Sequence, residues 1–64
     1  MNLVYALLYD TSYNSMEISG LYSSLDAAKK ALPGAEWKKH ENIAMWETMT
    51  GEKYWCITVH AVLD

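Results

Sequence analysis

A chain of 64 residues makes one domain at most, and a core of this size supplies only about 3 to 5 kcal/mol of net stability. Cys56 is the only cysteine, which excludes a disulfide framework, and it forms no zinc-ligand spacing with His40 or His60. Five Lys, no Arg and eight acidic residues give a net charge of −3, which argues against nucleic-acid binding. The expected source of additional stability is therefore oligomerisation.

The first third of the chain predicts a β-hairpin. Leu3 to Tyr9 is a β-type run, residues 10–15 form a polar turn, and Met16 to Tyr22 returns. Gly20 inside the return strand indicates a bulge or a close approach of another backbone. Neither side of the first strand is polar, and we place its smaller residues under the helix and its tyrosines outside. The smaller set is Val4, Ala6 and Leu8, and the larger set is Tyr5, Leu7 and Tyr9.

A helix of about nine residues follows. In the pattern Ser23-Ser24-Leu25-Asp26, the Ser23 oxygen is expected to accept a backbone N–H, and Asp26 suits the positive end of the helix. Apolar residues recur at helical spacing, and Pro33-Gly34 ends the helix. The polar segment at 35–42 then predicts a short edge strand or a loop anchored by Trp37.

The last third predicts a second hairpin, with strands at Ile43 to Met49 and Tyr54 to Leu63 around a turn at residues 50–53. If Met49 pairs with Tyr54, the even residues of the first strand share a face with the odd residues of the second. One face then carries Ala44, Trp46, Thr48, Trp55, Ile57, Val59, Ala61 and Leu63. The other carries Ile43, Met45, Glu47, Met49, Tyr54, Cys56, Thr58 and His60.

These elements predict an α+β fold with a four-stranded, mainly antiparallel sheet (β-β-α-β-β) and one short helix on one face. The helix would be about 14 Å long and 10 Å wide, whereas four strands are about 19 Å across. One sheet face is therefore left open, and a homodimer through that face is the first expectation, with a hetero-partner as the alternative. The expected interaction residues are Tyr5, Tyr9, Met45, Met49, Tyr54, Cys56 and His60.

The sequence offers little chemistry. His60 and Cys56 would lie about 13 Å apart along one strand, beyond the reach of a thiolate–imidazole pair. We therefore expect a non-enzymatic binding module with no catalytic residue, cofactor or metal. One alternative is a protein that sequesters a small molecule or nucleotide in a pocket at a dimer seam, and another is a small enzyme with His60 or His40 as a base. The first alternative's pocket would be lined by Tyr5, Tyr54, Trp37 and His60.

The chain shows no secretory signal and no apolar run as long as a membrane span, and an unpaired thiol suits a reducing compartment. We therefore expect a cytoplasmic protein that does not bind a membrane.

Several short motifs resemble small uncharacterised proteins of bacteriophages and their bacterial hosts. The motifs are Val4-Tyr5-x-Leu7, Ser19 to Ser24 with Ala28 beyond it, a Trp after Pro33-Gly34, and the closing Ile57 to Asp64. The resemblance implies a compact β-β-α-β-β unit and a phage origin, and it carries no catalytic residue. It suggests a phage accessory protein that docks on and modulates a host protein in the host cytoplasm.

Overall fold

The computed structural model describes residues 2–11 and 15–63, so part of the predicted first turn, at residues 12–14, lies outside the described residues. The elements are β1 (Asn2–Asp10), β2 (Met16–Tyr22), α1 (Leu25–Lys30), β3 (Lys38–Lys39), β4 (Met45–Thr50) and β5 (Lys53–Val62). All strand pairs are antiparallel, in the order β2-β1-β5-β4-β3. The fold is therefore a mostly antiparallel sheet with one short helix, in agreement with the predicted α+β class.

The predicted strand count of four is wrong, because the described residues form five strands. The added strand is β3, in which Lys38 lies opposite Glu47 and Lys39 opposite Trp46. The backbone N–H of His40 then donates to the Met45 carbonyl oxygen at 2.8 Å. A strand of two residues is too short to show alternation, so the sequence pattern predicts either an edge strand or a loop for this segment.

The second hairpin has the predicted register, with Met49 opposite Tyr54. Its turn is tighter than expected because Thr50 still pairs with Lys53, which leaves only Gly51 and Glu52 between the strands. Gly51 has a φ of +62°, a left-handed conformation that glycine adopts without steric cost. The predicted face assignment is confirmed for the residues of β4 and β5, whereas Ile43, Ala44 and Leu63, which were assigned to the same faces, lie outside these strands.

The first hairpin contains the predicted bulge. Leu7 pairs with Gly20 but Leu8 pairs with Ile18, so Ser19 is the extra residue of β2. A Cβ atom on Gly20 would stand 2.8 Å from the Tyr22 hydroxyl oxygen. Gly20 therefore leaves room for the Tyr22 ring, which covers the backbone where a side chain would otherwise stand.

The core lies between α1 and one face of the sheet. Its fully enclosed members are Leu7 of β1, Ala28 of α1 and Ile57 of β5, with Leu7 directly opposite Ile57. The partly buried residues packed against them are Tyr5, Tyr22, Leu25, Leu32, Trp37, Trp46 and Trp55.

This core reverses the predicted orientation of β1. The tyrosine-containing set of β1 faces the helix, and the smaller set faces away. The physical reason is volume, because one short helix leaves a gap that large aromatic side chains fill better than Val or Ala.

The helix spans six residues, shorter than the predicted nine. Its cap is Ser24, whose hydroxyl oxygen accepts a hydrogen bond from the Ala27 backbone N–H at 3.1 Å, so the prediction of Ser23 is wrong by one position. Ser24 still has extended dihedral angles, and the chain turns into the helix only after it. Within the described residues, no helix has the length and apolar character needed to cross a membrane.

Candidate interaction surface

We call the side of the sheet that lies opposite α1 the open face. Strand pairing and side-chain alternation assign its members. They are Asn2, Val4, Ala6, Leu8 and Asp10 of β1, Met16, Ile18 and Leu21 of β2, Lys38 of β3, Met45, Glu47 and Met49 of β4, and Tyr54, Cys56, Thr58, His60 and Val62 of β5. In residues 2–11 and 15–63, no helix or strand packs over this face.

The open face is divided into an apolar half and a polar half. The apolar half, on β1 and β2, is formed by Val4, Leu8, Met16, Ile18 and Leu21, with the polar residues Asn2 and Asp10 at the two ends of β1. Ile18 is 61% and Leu21 63% exposed, although both are large aliphatic residues. The polar half, on β3, β4 and the adjoining side of β5, carries Lys38, Glu47, Tyr54, Thr58 and His60 together with the methionines of β4.

Two small residues occupy the middle of the open face. Ala6 and Cys56 are buried even though no element covers them. Their side chains are short, so larger neighbours on the same face shield them from water. We call this pair the central hollow, because the surface is lower there than at the surrounding residues.

The polar half contains a hydrogen bond between two half-buried side chains. The Tyr54 hydroxyl donates to Glu47 Oε1 at 2.7 Å. Burial and this bond raise the pKa of Tyr54, because both favour the neutral phenol over a second negative charge beside Glu47. Burial also raises the pKa of the Cys56 thiol, and the Glu47 carboxylate adds to the effect. Cys56 is therefore held as a neutral thiol, the less nucleophilic form.

Each histidine has a local partner. His60 Nε2 lies 2.7 Å from the Thr58 hydroxyl oxygen, two residues earlier on β5. His40 Nδ1 accepts the Asn42 backbone N–H at 3.3 Å in the segment between β3 and β4. These contacts orient the two rings without pairing either of them with a carboxylate or a thiol.

Five of the seven residues predicted for the interaction surface lie together on the open face. They are Met45, Met49, Tyr54, Cys56 and His60.

The other two, Tyr5 and Tyr9, belong to the helix side, so their predicted place on the open face is wrong. Tyr5 packs against the core. The Tyr9 ring lies 5.3 Å from the Trp55 ring between centroids, and its hydroxyl donates to Glu17 Oε2 at 2.9 Å. That hydrogen bond, together with the charge of Glu17, raises the pKa of Tyr9. Both tyrosines therefore have structural partners on the helix side.

The four residues predicted to line a sequestering pocket lie on opposite sides of the sheet. Tyr5 and Trp37 pack against the core on the helix side, whereas Tyr54 and His60 lie on the open face. A dimer seam on one face cannot bring all four side chains to one ligand. The arrangement therefore gives no support to a pocket with that lining.

The apolar half was missed by reasoning from the sequence. A strict two-residue alternation places Ile18 and Leu21 on opposite faces, but the extra residue Ser19 brings both to the open face. The bulge signal at Gly20 was present in the sequence. Applying it to the residues beyond Gly20 would have identified the cluster.

Within residues 2–11 and 15–63, no group of three or more His, Cys, Asp or Glu is placed to hold a metal ion. No protein-family model matches the chain, and searches of curated proteins and of solved structures find no match. The function is therefore argued from the geometry of the open face.

Proposed function

We propose that this protein is a non-enzymatic interaction module that docks another protein on the open face. The observation that carries the proposal is the exposure of Ile18, Leu21 and Met49, at 61%, 63% and 59%, on a sheet face that no described element covers. Ile18 and Leu21 lie close together on β2, Met49 lies across the face on β4, and exposed apolar surface of this kind marks interaction sites because covering it releases about 25 cal/mol for each Å² removed from water.

The side chains of the polar half support the same function. Met45 and Met49 are flexible and polarizable, and they adapt to the shape of a partner. Tyr54 combines an apolar ring with a hydroxyl already satisfied by Glu47. Tyrosine and methionine are both enriched in protein interfaces relative to the rest of a protein surface.

The chemistry of the face argues against a catalytic role. A nucleophilic cysteine needs a lowered thiol pKa, and the pKa of Cys56 is raised. His60 is hydrogen-bonded to Thr58, but no acid or thiol among the described residues orients the ring as a catalytic base would require. A binding role needs neither of these groups to react.

The resemblance to small bacteriophage proteins suggests the setting of this interaction. In that setting, the chain is a phage accessory protein in the host cytoplasm, and the open face docks on a host protein and modulates it. The docking proposal itself does not depend on the phage origin.

Affinity capture tests the proposal. Tagged wild type is compared with Met49→Asp, which places a charge on the open face, and with Leu3→Asp, a matched control on the helix side. Leu3 is 48% exposed, so both changes fall on exposed apolar residues. Each bait is incubated with bacterial lysate that also contains an untagged copy of the chain, and bound proteins are quantified by mass spectrometry.

We expect at least one protein, which can be the untagged copy, to be retained by the wild type and by Leu3→Asp and lost with Met49→Asp. Identical protein sets from all three folded baits would contradict the proposal.

A further inference from the structure

We infer that the occupant of the open face is a second copy of this chain, packed face to face about a two-fold axis that runs across the strands. The inference rests on the proposed function and names its partner. It is carried by the area of the face, by the division into apolar and polar halves, and by the central hollow.

The area of the face matches what a second copy can bury. Five strands at a spacing of about 4.8 Å are about 24 Å wide, and these strands, of two to ten residues, average about 22 Å in length. Each face therefore offers about 540 Å², and two faces bury about 1,100 Å² together, which is above the roughly 1,000 Å² expected of a specific interface and typical of a weak one. A single helix or peptide strand, about 10 Å wide, would cover less than half of the face.

The division of the open face selects the direction of the two-fold axis. An axis parallel to the strands would place β2 of one copy over β3 of the other, so Ile18 would meet the region of Lys38. An axis across the strands places β2 over β2 and joins the two apolar halves. Only the second arrangement buries the exposed residues Ile18 and Leu21 against the apolar half of the other copy.

The central hollow sets the position of that axis along the strands. Two neighbouring rows of side chains cross the sheet here. The first row contains Leu21, Ala6, Thr58 and Met45. The second row contains Ile18, Leu8, Cys56 and Glu47. An axis between these two rows places Leu8 over the second copy's Ala6 and Leu21 over the second copy's Ile18. A large side chain of each copy then lies above a small one of the other, as in packed sheet interiors.

The charged residues of the face, Asp10, Glu47 and Lys38, are compatible with this position. Asp10 is the last residue of β1 and is exposed at the edge of the face. Glu47 lies over the second copy's Met45 and keeps the hydrogen bond that it accepts from Tyr54. Lys38 stands on β3 at the rim, where its ammonium group stays in water. No charged side chain of the two rows faces its own copy.

Sedimentation equilibrium at protein concentrations from one to a few hundred micromolar tests the dimer. We expect wild type to dimerise with a dissociation constant in the micromolar range. The double variant Ile18→Lys/Leu21→Lys should weaken dimerisation by at least about tenfold, because four ammonium groups, two from each copy, would be desolvated in the seam. Leu3→Lys on the helix side is the matched control and should dimerise like wild type, and far-UV circular dichroism should show that all three chains are folded.

A distance measurement tests the axis. Spin labels on Lys38→Cys in the Cys56→Ser background report the separation of the two β3 edges. An axis across the strands places the two backbones at position 38 about 12 Å apart, whereas an axis along the strands places them about 22 Å apart. The longer distance would overturn the arrangement.

The inference and the proposed function fail in different ways. A wild type that stays monomeric at a few hundred micromolar overturns the second copy as occupant. If a lysate protein is still retained by wild type and lost with Met49→Asp, the docking function stands. A monomer whose capture is unaffected by Met49→Asp overturns both.

Discussion

Single residues on the open face show how a sheet without a helical cover still creates a protected environment. Cys56 is buried because its neighbours are larger, and Tyr54 is half-buried beside Glu47. Both groups are neutral acids whose ionised forms would stand close to a carboxylate. Their pKa values are therefore raised in the folded protein, and folding is coupled to pH through them.

The direction of that coupling gives a prediction for alkaline solution. A raised pKa means that the folded state keeps a proton that the unfolded chain releases, so stability is complete below the unfolded pKa and falls as the pH rises above it. For Cys56 the loss begins near its ordinary value of 9.0, and for Tyr54 near 10.0. We expect the free energy of unfolding, measured with urea, to be constant from pH 7 to 8.5 and to decrease above pH 9.

The variant Tyr54→Phe separates the two groups. It removes the phenol that titrates beside Glu47, so its stability should decrease less than that of wild type above pH 10. Equal decreases in stability in the two proteins would show that the hydrogen bond from Tyr54 to Glu47 does not raise the pKa of the phenol.

At the scale of elements, the sequence was informative where local rules determine the structure. The β4–β5 register follows from the turn between Met49 and Tyr54, and the two faces follow from that register. The orientation of β1 could not be obtained in this way, because both sides of β1 are apolar. That choice depends on the volume between α1 and the sheet, which is a tertiary property.

The same distinction explains which residues of the candidate interaction surface could be predicted from the sequence. Met45, Met49 and Tyr54 were placed correctly because they belong to the hairpin with the predictable register. Ile18 and Leu21 were missed because the effect of one extra residue, Ser19, has to be followed along the strand. The two-residue strand β3 is set by its pairing with β4 and has no pattern of its own.

The start of α1 provides a prediction for an element. Ser24→Ala removes the hydroxyl that accepts the Ala27 N–H and should lower the free energy of unfolding by about 0.5 to 2 kcal/mol. A helix of six residues has little stability of its own, so the loss of its cap should destabilise the packing of the whole core.

The neighbouring serine is the matched control. Ser23→Ala makes the same chemical change one position earlier and should have little effect. Urea unfolding of both variants measures the difference. If Ser23→Ala had the larger effect, Ser23 would be the capping residue, as the sequence predicts.

At the scale of the whole molecule, two adjacent leucines of β1 have opposite roles. Leu7 is fully buried between β1 and α1, and Leu8 stands on the open face in the row of Cys56 and Ile18. A small domain has about 3 to 5 kcal/mol of net stability, which is close to the cost of one large cavity in its core. Leu7 therefore contributes to folding, and Leu8 is available for association.

Identical substitutions at these two positions test that division. Leu7→Ala should cost about 2 to 5 kcal/mol and leave much of the chain unfolded at 25 °C. Leu8→Ala should remain folded at low micromolar concentration, since it removes surface that the monomer leaves partly exposed, and should weaken the proposed dimer. Circular dichroism measures the folded fraction, and sedimentation equilibrium measures the association. If Leu8→Ala unfolds the isolated chain as severely as Leu7→Ala, then the open face belongs to the monomer's own core, and a surface already used for folding cannot also dock a second molecule.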